Sequence, residues 1–147
     1  VRIVVTGFEP FGGRERNLSW DVAAMVATHG CPAGLIKAVM LPVSFSRVIV
    51  AVSDMLRDMR PDGEDALFST LPVKSVANAI NVTGADADVS DSAGLYVCNT
   101  AFYTALHCTR TSPTLTGFIH LPDMPVETAV NAVSAALEHI QRLPCQK

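Results

Sequence analysis

The chain opens with the stretch VRIVVTGFEPFGG at positions 1–13, in which a β-branched run leads directly into a loop. β-Branched residues that end at a glycine are typical of a buried strand, so we predict a strand over residues 2–6. The loop over residues 7–13 is rich in Gly, Pro and Phe. In open α/β sheets, functional groups lie on loops at the carboxyl ends of the strands, so this loop is a candidate for function.

The next elements along the chain alternate between helix and strand. Asn17 or Ser19 is suited to cap a helix over about residues 20–28, and residues 35–41 form a second predicted strand. Ser46 is suited to cap a second helix, whose apolar positions recur every 3.6 residues.

Six more elements are predicted beyond the second helix. These are a helix starting at Pro72, short strands over 87–89 and 95–97, a helix over 99–107, a strand over 117–121 and a last helix over 126–140. Strands that alternate with helices predict an α/β fold, a three-layer αβα sandwich with a mostly parallel central sheet. The length of 147 residues fits a single domain.

Composition narrows the class of protein. Apolar residues make up 49% of the chain and charged residues 17%, which is enough to bury a core. The net charge is -3 and no run of Lys or Arg occurs, so no nucleic-acid partner is expected. No apolar run approaches the roughly 20 residues of a membrane helix, and the apolar N-terminus is too short for a signal peptide. We therefore expect a cytoplasmic protein that does not interact with a membrane.

Four cysteines are present, Cys31, Cys98, Cys108 and Cys145, and no two of them have CxxC spacing. No structural zinc site is expected from this pattern. Thiols are the default state in a cytosolic chain, and most of them are small buried apolar groups.

Cys98 and His120 both lie at the ends of predicted strands, and Cys98 also precedes a predicted helix. The positive end of a helix is expected to lower the pKa of a thiol and favour the thiolate. A thiolate nucleophile needs a base, and His is the usual one. Spacing alone leaves two interpretations open: a nucleophile and base pair, or a buried thiol and a core histidine.

Four motifs of the chain, in the same order, resemble those of the pyroglutamyl peptidase I family of cysteine peptidases. They are positions 5–13 with Asn17 and Ser19-Trp20, positions 68–74, positions 89–99 around Cys98, and positions 117–122 around His120. Because four motifs match in order along most of the chain, the protein is identified as a member of that family.

The resemblance implies a role for each matching residue. Cys98 is the expected nucleophile and His120 its base and acid. Phe8 and Phe11 are expected to stack on the flat pyroglutamate ring, Asn17 to hold their loop, and Tyr96 and Val97 to line the same pocket. The implied activity is hydrolysis of the bond after an N-terminal pyroglutamate in a peptide. No metal or organic cofactor is implied, and homo-oligomers are compatible with the resemblance.

The chain departs from the family pattern most strongly near residues 62–66. There the family has a strand, a Gly-Arg loop and a Glu-containing motif whose Glu orients the catalytic His, whereas this chain has only GEDA at positions 63–66. The roles of those family residues do not transfer to Glu64 or Asp65. Smaller departures are Leu18, where the family usually has Pro, and Asp91-Ser92, where an Asn-Thr pair is usual.

Two explanations of the gap are open. Either the natural protein has residues here that this sequence lacks, or the chain has a true internal deletion. A deletion would remove a central strand, which would leave hydrogen-bonding groups of the sheet unpaired and one face of the core exposed. Packing therefore favours the first explanation.

Three functional hypotheses follow from these observations. The first is a cysteine omega-peptidase that releases pyroglutamate. The alternative is an impaired family member that binds pyroglutamyl peptide ends without cleaving them, because an orienting acid is missing. The third, a different cysteine hydrolase on a similar fold, rests on fold analogy alone.

Overall fold

The computed structural model of the protein describes residues 2–29, 35–56 and 66–143. The elements are β1 (Arg2–Phe8), α1 (Leu18–His29), β2 (Leu35–Leu41), α2 (Phe45–Leu56), α3 (Val73–Asn81), α4 (Val97–Thr109) and α5 (Val126–Gln141). Of residues 62–66, where the sequence departs from the family, only Ala66 lies within the described parts, and Cys31 and Cys145 lie outside them. The described residues form two compact units, each built from separate stretches of chain.

The first unit contains residues 2–29, 35–41, 74–89 and 121–143. Its centre is a β1-α1-β2 crossover in which the two strands pair in parallel, from Arg2 opposite Leu35 to Phe8 opposite Leu41. Helix α1 packs against both strands and against α5. Parallel strands need a crossover of this kind because both run in the same direction, so the chain must return from the end of the first strand to the level of its start before the second strand begins.

The core of the first unit lies between the strands and the two helices. It is built from side chains that recur at strand or helix spacing: Val22, Val26, Ile36, Ala129, Val133 and Leu137, with Ile3 and Val5 packed against them. Ala129 and Ala136 are fully buried, and such small residues let α5 approach its neighbours closely. The stripe predicted from the sequence of the last helix therefore faces this core.

Gly7 marks the point where β1 comes closest to the start of α1. A Cβ atom at Gly7 would collide with the backbone of Ser19 and Trp20. Backbone atoms cannot swing away as a flexible side chain can, so no other residue fits here without moving the strand or the helix. Packing therefore requires glycine at position 7 of the sequence VVTGF.

We expect Gly7→Ala to lower the free energy of unfolding by about 3 kcal/mol, at the upper end of overpacking costs, because strand and helix must separate. Gly84→Ala is the control, since a Cβ there meets no atom within 4 Å and only its positive φ of 88° opposes the change. That strain costs about 1–2 kcal/mol. Urea unfolding of both variants checks the difference, and equal losses would contradict the packing argument.

The second unit contains residues 42–56, 66–73 and 90–120. Helices α2 and α4 pack against each other, and Val48 and Val52 of α2 are completely buried. The segment 69–71 lies beside 116–117: the Thr70 N–H donates to the Thr116 carbonyl at 3.0 Å, and the Thr116 N–H donates to the Thr70 hydroxyl at 2.7 Å. These bonds anchor the chain just before Phe118 and His120.

Three predicted strands are wrong. Residues 87–89 and 117–121 have no regular secondary structure, and Val97 already belongs to α4. A strand exists only when a neighbour completes its ladder of hydrogen bonds, and a β-branched sequence cannot supply that neighbour. Between 69–71 and 116–117, one backbone–backbone bond forms and the others involve hydroxyl groups, so no ladder develops.

The predicted helices are confirmed with shifted ends. Asn17 caps α1 as expected, since its side-chain oxygen accepts the Ser19 N–H at 3.1 Å. Ser46 does not cap α2, because that helix begins one residue earlier and the Ser44 carbonyl accepts the Val48 N–H at 2.8 Å. In the parts of the chain that the structure describes, no helix has the length and apolarity needed to cross a bilayer.

Candidate active site

The loop after β1 carries two of the predicted binding residues, Phe8 and Phe11. Phe8 is the last residue of β1 and is half-buried, whereas the Phe11 side chain is 56% exposed. Gly12 and Gly13 follow with φ angles of 63° and 76°, in the left-handed region that glycine adopts at least cost. An exposed aromatic ring beside a glycine turn is available to stack on a flat ligand.

Asn17 ties this loop to the start of α1. Its amide group donates to the Glu9 carbonyl at 3.1 Å, and its oxygen accepts the Ser19 hydroxyl at 2.9 Å. The Ser19 hydroxyl oxygen also accepts the Phe8 N–H at 2.9 Å, and the Glu9 N–H donates to the Leu41 carbonyl at 2.9 Å. The loop that carries Phe8 and Phe11 is thus held at both ends by polar contacts, as the role predicted for Asn17 requires.

Cys98 is the second residue of α4 and its side chain is half-buried. The N-cap residue Tyr96 makes no side-chain capping bond, and its carbonyl instead accepts the Asn99 N–H at 3.0 Å and the Thr100 N–H at 3.4 Å. The sequence predicted Cys98 just before a helix that begins at residue 99, whereas in the structure the helix begins at Val97, so the thiol lies in its first turn.

The expected lowering of the thiol pKa is not the dominant effect. Burial raises the pKa of Cys98 above its ordinary value, and the opposing effect of its own backbone N–H is smaller. A half-buried thiolate loses hydration, so burial favours the neutral thiol of Cys98 over the thiolate.

His120 lies in the same unit as Cys98, and contacts between aromatic rings connect it to the helix that carries Cys98. The Phe118 ring lies 5.7 Å from the Phe102 ring and 6.5 Å from the His120 ring, measured between centroids. Phe102 follows Cys98 by four residues on α4, so it lies one turn along the same face of the helix. The side chain of His120 is exposed.

The remaining predicted residues differ in accessibility. Tyr96 is 79% exposed, whereas Val97 is 8% exposed and packs into the interior of its unit. Tyr96, Val97, Cys98 and His120 belong to the second unit, and Phe8, Phe11 and Asn17 belong to the first. The roles of all seven residues remain predictions.

The sequence motifs include Phe118 and Ser19 but imply no site role for either, and Phe102 lies outside the motifs. The available signals were spacings: four residues from Cys98 to Phe102 and two from Phe118 to His120. Spacing could suggest proximity, but only the fold shows that the two phenylalanine rings meet.

A comparison with known proteins identifies the family. The model of the family described as "Pyroglutamyl peptidase" matches residues 1–62 and 54–142 of the chain. The chain belongs to the pyroglutamyl peptidase family. The identification made from the four sequence motifs is confirmed.

Curated relatives in this family are named pyrrolidone-carboxylate peptidase. The protein from Thermococcus onnurineus is 29% identical over 196 residues, with 94% of this chain and 98% of the relative covered. The protein from Streptomyces coelicolor is 31% identical over 205 residues, with 99% of this chain and 94% of the relative covered. Both alignments are longer than the 147 residues of this chain, so these relatives have residues with no counterpart here.

Solved structures of the family share the fold. A mutant pyrrolidone carboxyl peptidase from Pyrococcus furiosus superposes with a TM-score of 0.86 at 25% identity, with 95% of this chain and 98% of that chain covered. Bacillus amyloliquefaciens pyroglutamyl peptidase I gives a TM-score of 0.84 at 20% identity, with coverages of 95% and 96%. The predicted α/β fold is confirmed. Among the described residues, no cluster of His, Cys, Asp and Glu could hold a metal ion.

The raised thiol pKa predicts how Cys98 reacts with iodoacetamide. Only the thiolate is alkylated, so at pH 7.5 Cys98 should react more slowly than free cysteine, whose pKa is about 8.5. Its rate should also reach half of its maximum at a higher pH than the rate of free cysteine does. Peptide mass spectrometry resolves Cys98 from the other three cysteines. A rate that is already constant below pH 7 would show a stable thiolate and contradict this assignment.

Proposed function

We propose that this protein is a cysteine peptidase that hydrolyses the bond after an N-terminal pyroglutamate, with Cys98 as nucleophile and His120 as base and acid. One observation carries the proposal: in a chain of the pyroglutamyl peptidase family, Cys98 lies at the start of α4 and aromatic contacts connect that helix to His120. The names of the curated relatives support the same activity.

The first chemical step follows from the state of the thiol. Because burial raises the pKa of Cys98, the thiol must lose its proton as it attacks, and the imidazole of His120 accepts that proton. The sulfur forms a bond to the pyroglutamyl carbonyl carbon, and the C–N bond to the next residue breaks. His120 returns the proton to the leaving amine, and a thioester remains on Cys98.

The second step releases pyroglutamate. Water attacks the thioester carbonyl and gives one proton to His120, after which the C–S bond breaks and the thiol of Cys98 is restored. Each step passes through an oxyanion that needs hydrogen-bond donors. The N–H groups of Asn99 and Thr100 already donate to Tyr96, so we assign the oxyanion to the N–H of Cys98 at the free end of the helix.

Substrate recognition is proposed to rest on aromatic and polar groups. Phe8 and Phe11 offer rings to the flat face of pyroglutamate, and Asn17 holds their loop. Tyr96 and Val97, at the start of α4 beside the nucleophile, are proposed to line the same pocket. We further propose a cytoplasmic enzyme that needs no cofactor, acts on peptides and not on nucleic acid or membranes, and is able to form homo-oligomers.

Replacing the nucleophile tests the proposal. Cys98→Ala should abolish release of the leaving group from a chromogenic pyroglutamyl amide, because no other group replaces the thiol, and should leave the circular dichroism spectrum unchanged. Cys108→Ala is the matched control, since Cys108 is a buried residue of the same helix. Activity retained in Cys98→Ala would refute the assignment. Binding of pyroglutamyl peptide by the wild-type protein without product release would favour the non-cleaving alternative.

We also propose that the single domain lacks the family segment near residues 62–66. Two observations support this: the family model matches in two parts that overlap at residues 54–62, and alignments to relatives exceed the length of this chain. The exposed Phe68, at 84%, lies just after the gap, where an absent neighbour would leave an apolar side chain in water.

The intact mass of the natural protein tests this proposal. A true deletion gives 15.6 kDa, and we then expect kcat to be about 10⁴-fold lower than in full-length relatives, the usual cost of losing the acid that orients a catalytic His. A mass well above that value, with the added residues mapped by peptide mass spectrometry to the 62–66 region, would mean that the natural protein contains the segment, which is the explanation that packing favours, and would rule out the deletion. In that case we expect turnover similar to that of the relatives.

A further inference from the structure

The strongest physical link between the two predicted catalytic residues is a pair of aromatic contacts. The Phe102 and Phe118 rings meet at 5.7 Å with an angle of 43° between their planes, and the Phe118 and His120 rings meet at 6.5 Å and 34°. Both separations fall in the range in which tilted aromatic rings attract each other. Phe118 therefore contacts the helix of the nucleophile on one side and the histidine on the other.

The backbone just before Phe118 is firmly held. The Thr116 hydroxyl bonds the Thr109 hydroxyl at the end of α4 at 2.8 Å, and the Thr116 carbonyl accepts both the Ser69 hydroxyl and the Thr70 N–H. Gly117 lies so close to the Leu71 side chain that a Cβ atom there would collide with it. Phe118 is thus a ring on an anchored segment that contacts the middle of α4 through Phe102 and the end of α4 through Thr109.

His120 is less restrained than Phe118. It is exposed and lies beyond the anchored residues on a segment without regular secondary structure. An exposed histidine side chain samples several rotamers, and most of them do not present a ring nitrogen to the thiol. A ring contact that favours one rotamer raises the fraction of molecules that are ready to transfer the proton.

We infer that Phe118 is a positioning residue, which orients the His120 imidazole for proton exchange with Cys98. The inference rests on the proposed function. Phe118 does not contact the reacting atoms; it acts by restricting the histidine and by linking it to Phe102, one turn from the nucleophile. It therefore supplies through an apolar ring contact the kind of restraint that a hydrogen-bonded acid supplies in other cysteine and serine hydrolases.

Substitution at Phe118 tests the inference through kinetics. Phe118→Leu removes the ring and keeps an apolar side chain, so kcat should fall about tenfold, the largest rate change expected from one such ring contact, while KM stays within twofold. Phe118→Tyr keeps the ring and should retain the wild-type kcat. Phe45→Leu is the control, because Phe45 is an exposed phenylalanine of α2 in the same unit.

A second readout does not depend on activity. The Hα–Hβ couplings of His120, assigned by their loss in His120→Gln, report its χ1 rotamer; they should move towards rotamer-averaged values in Phe118→Leu and stay in place in Phe45→Leu. Unchanged couplings in Phe118→Leu, a kcat within twofold of wild type, or equal losses in Phe118→Leu and Phe118→Tyr would each overturn the inference. If the wild-type protein releases no pyroglutamate, the proposed function fails, and the NMR comparison alone then decides whether Phe118 orients His120.

Discussion

The close approach of Gly7 to the Ser19 backbone is the constraint on which the first unit depends. It sets the distance between β1 and α1, and the crossover then places β2 beside β1 in parallel. The same junction fixes the loop between them, because Asn17 and Ser19 bond the backbone on both sides of it. Because Gly7 has no side chain, it allows both the packing of the core and the position of the loop that carries Phe8 and Phe11, so the two features depend on the same residue.

Thr116 has a corresponding role in the second unit. Its backbone and hydroxyl join the 69–71 segment to the end of α4, while Phe118 joins the following residues to the middle of that helix. The segment around Thr116 is held by bonds to hydroxyl and carbonyl groups, whereas a strand would be held by a regular ladder of backbone hydrogen bonds. This explains how a segment with a β-branched and apolar sequence stays in place without becoming a strand.

The sequence predicted those features that depend on local pattern. The apolar spacing of α2, the capping role of Asn17 and the β1-α1-β2 order all follow from residues near one another in the chain. The predicted strands at 87–89, 95–97 and 117–121 failed because a strand depends on a distant partner, which periodicity does not reveal. The same limit applies to the site: motifs located Cys98 and His120, but the Phe102–Phe118 contact joins residues that are far apart in sequence.

The state of the thiol shapes the proposed role of the histidine. Burial raises the pKa of Cys98 and so favours the neutral thiol, whereas a helix end favours the thiolate. In the proposed mechanism the proton therefore leaves during the attack, and His120 is the group proposed to accept it. An exposed imidazole that samples several rotamers accepts that proton only in some of them, which is why we propose that the Phe118 ring, through its contact with His120, affects turnover.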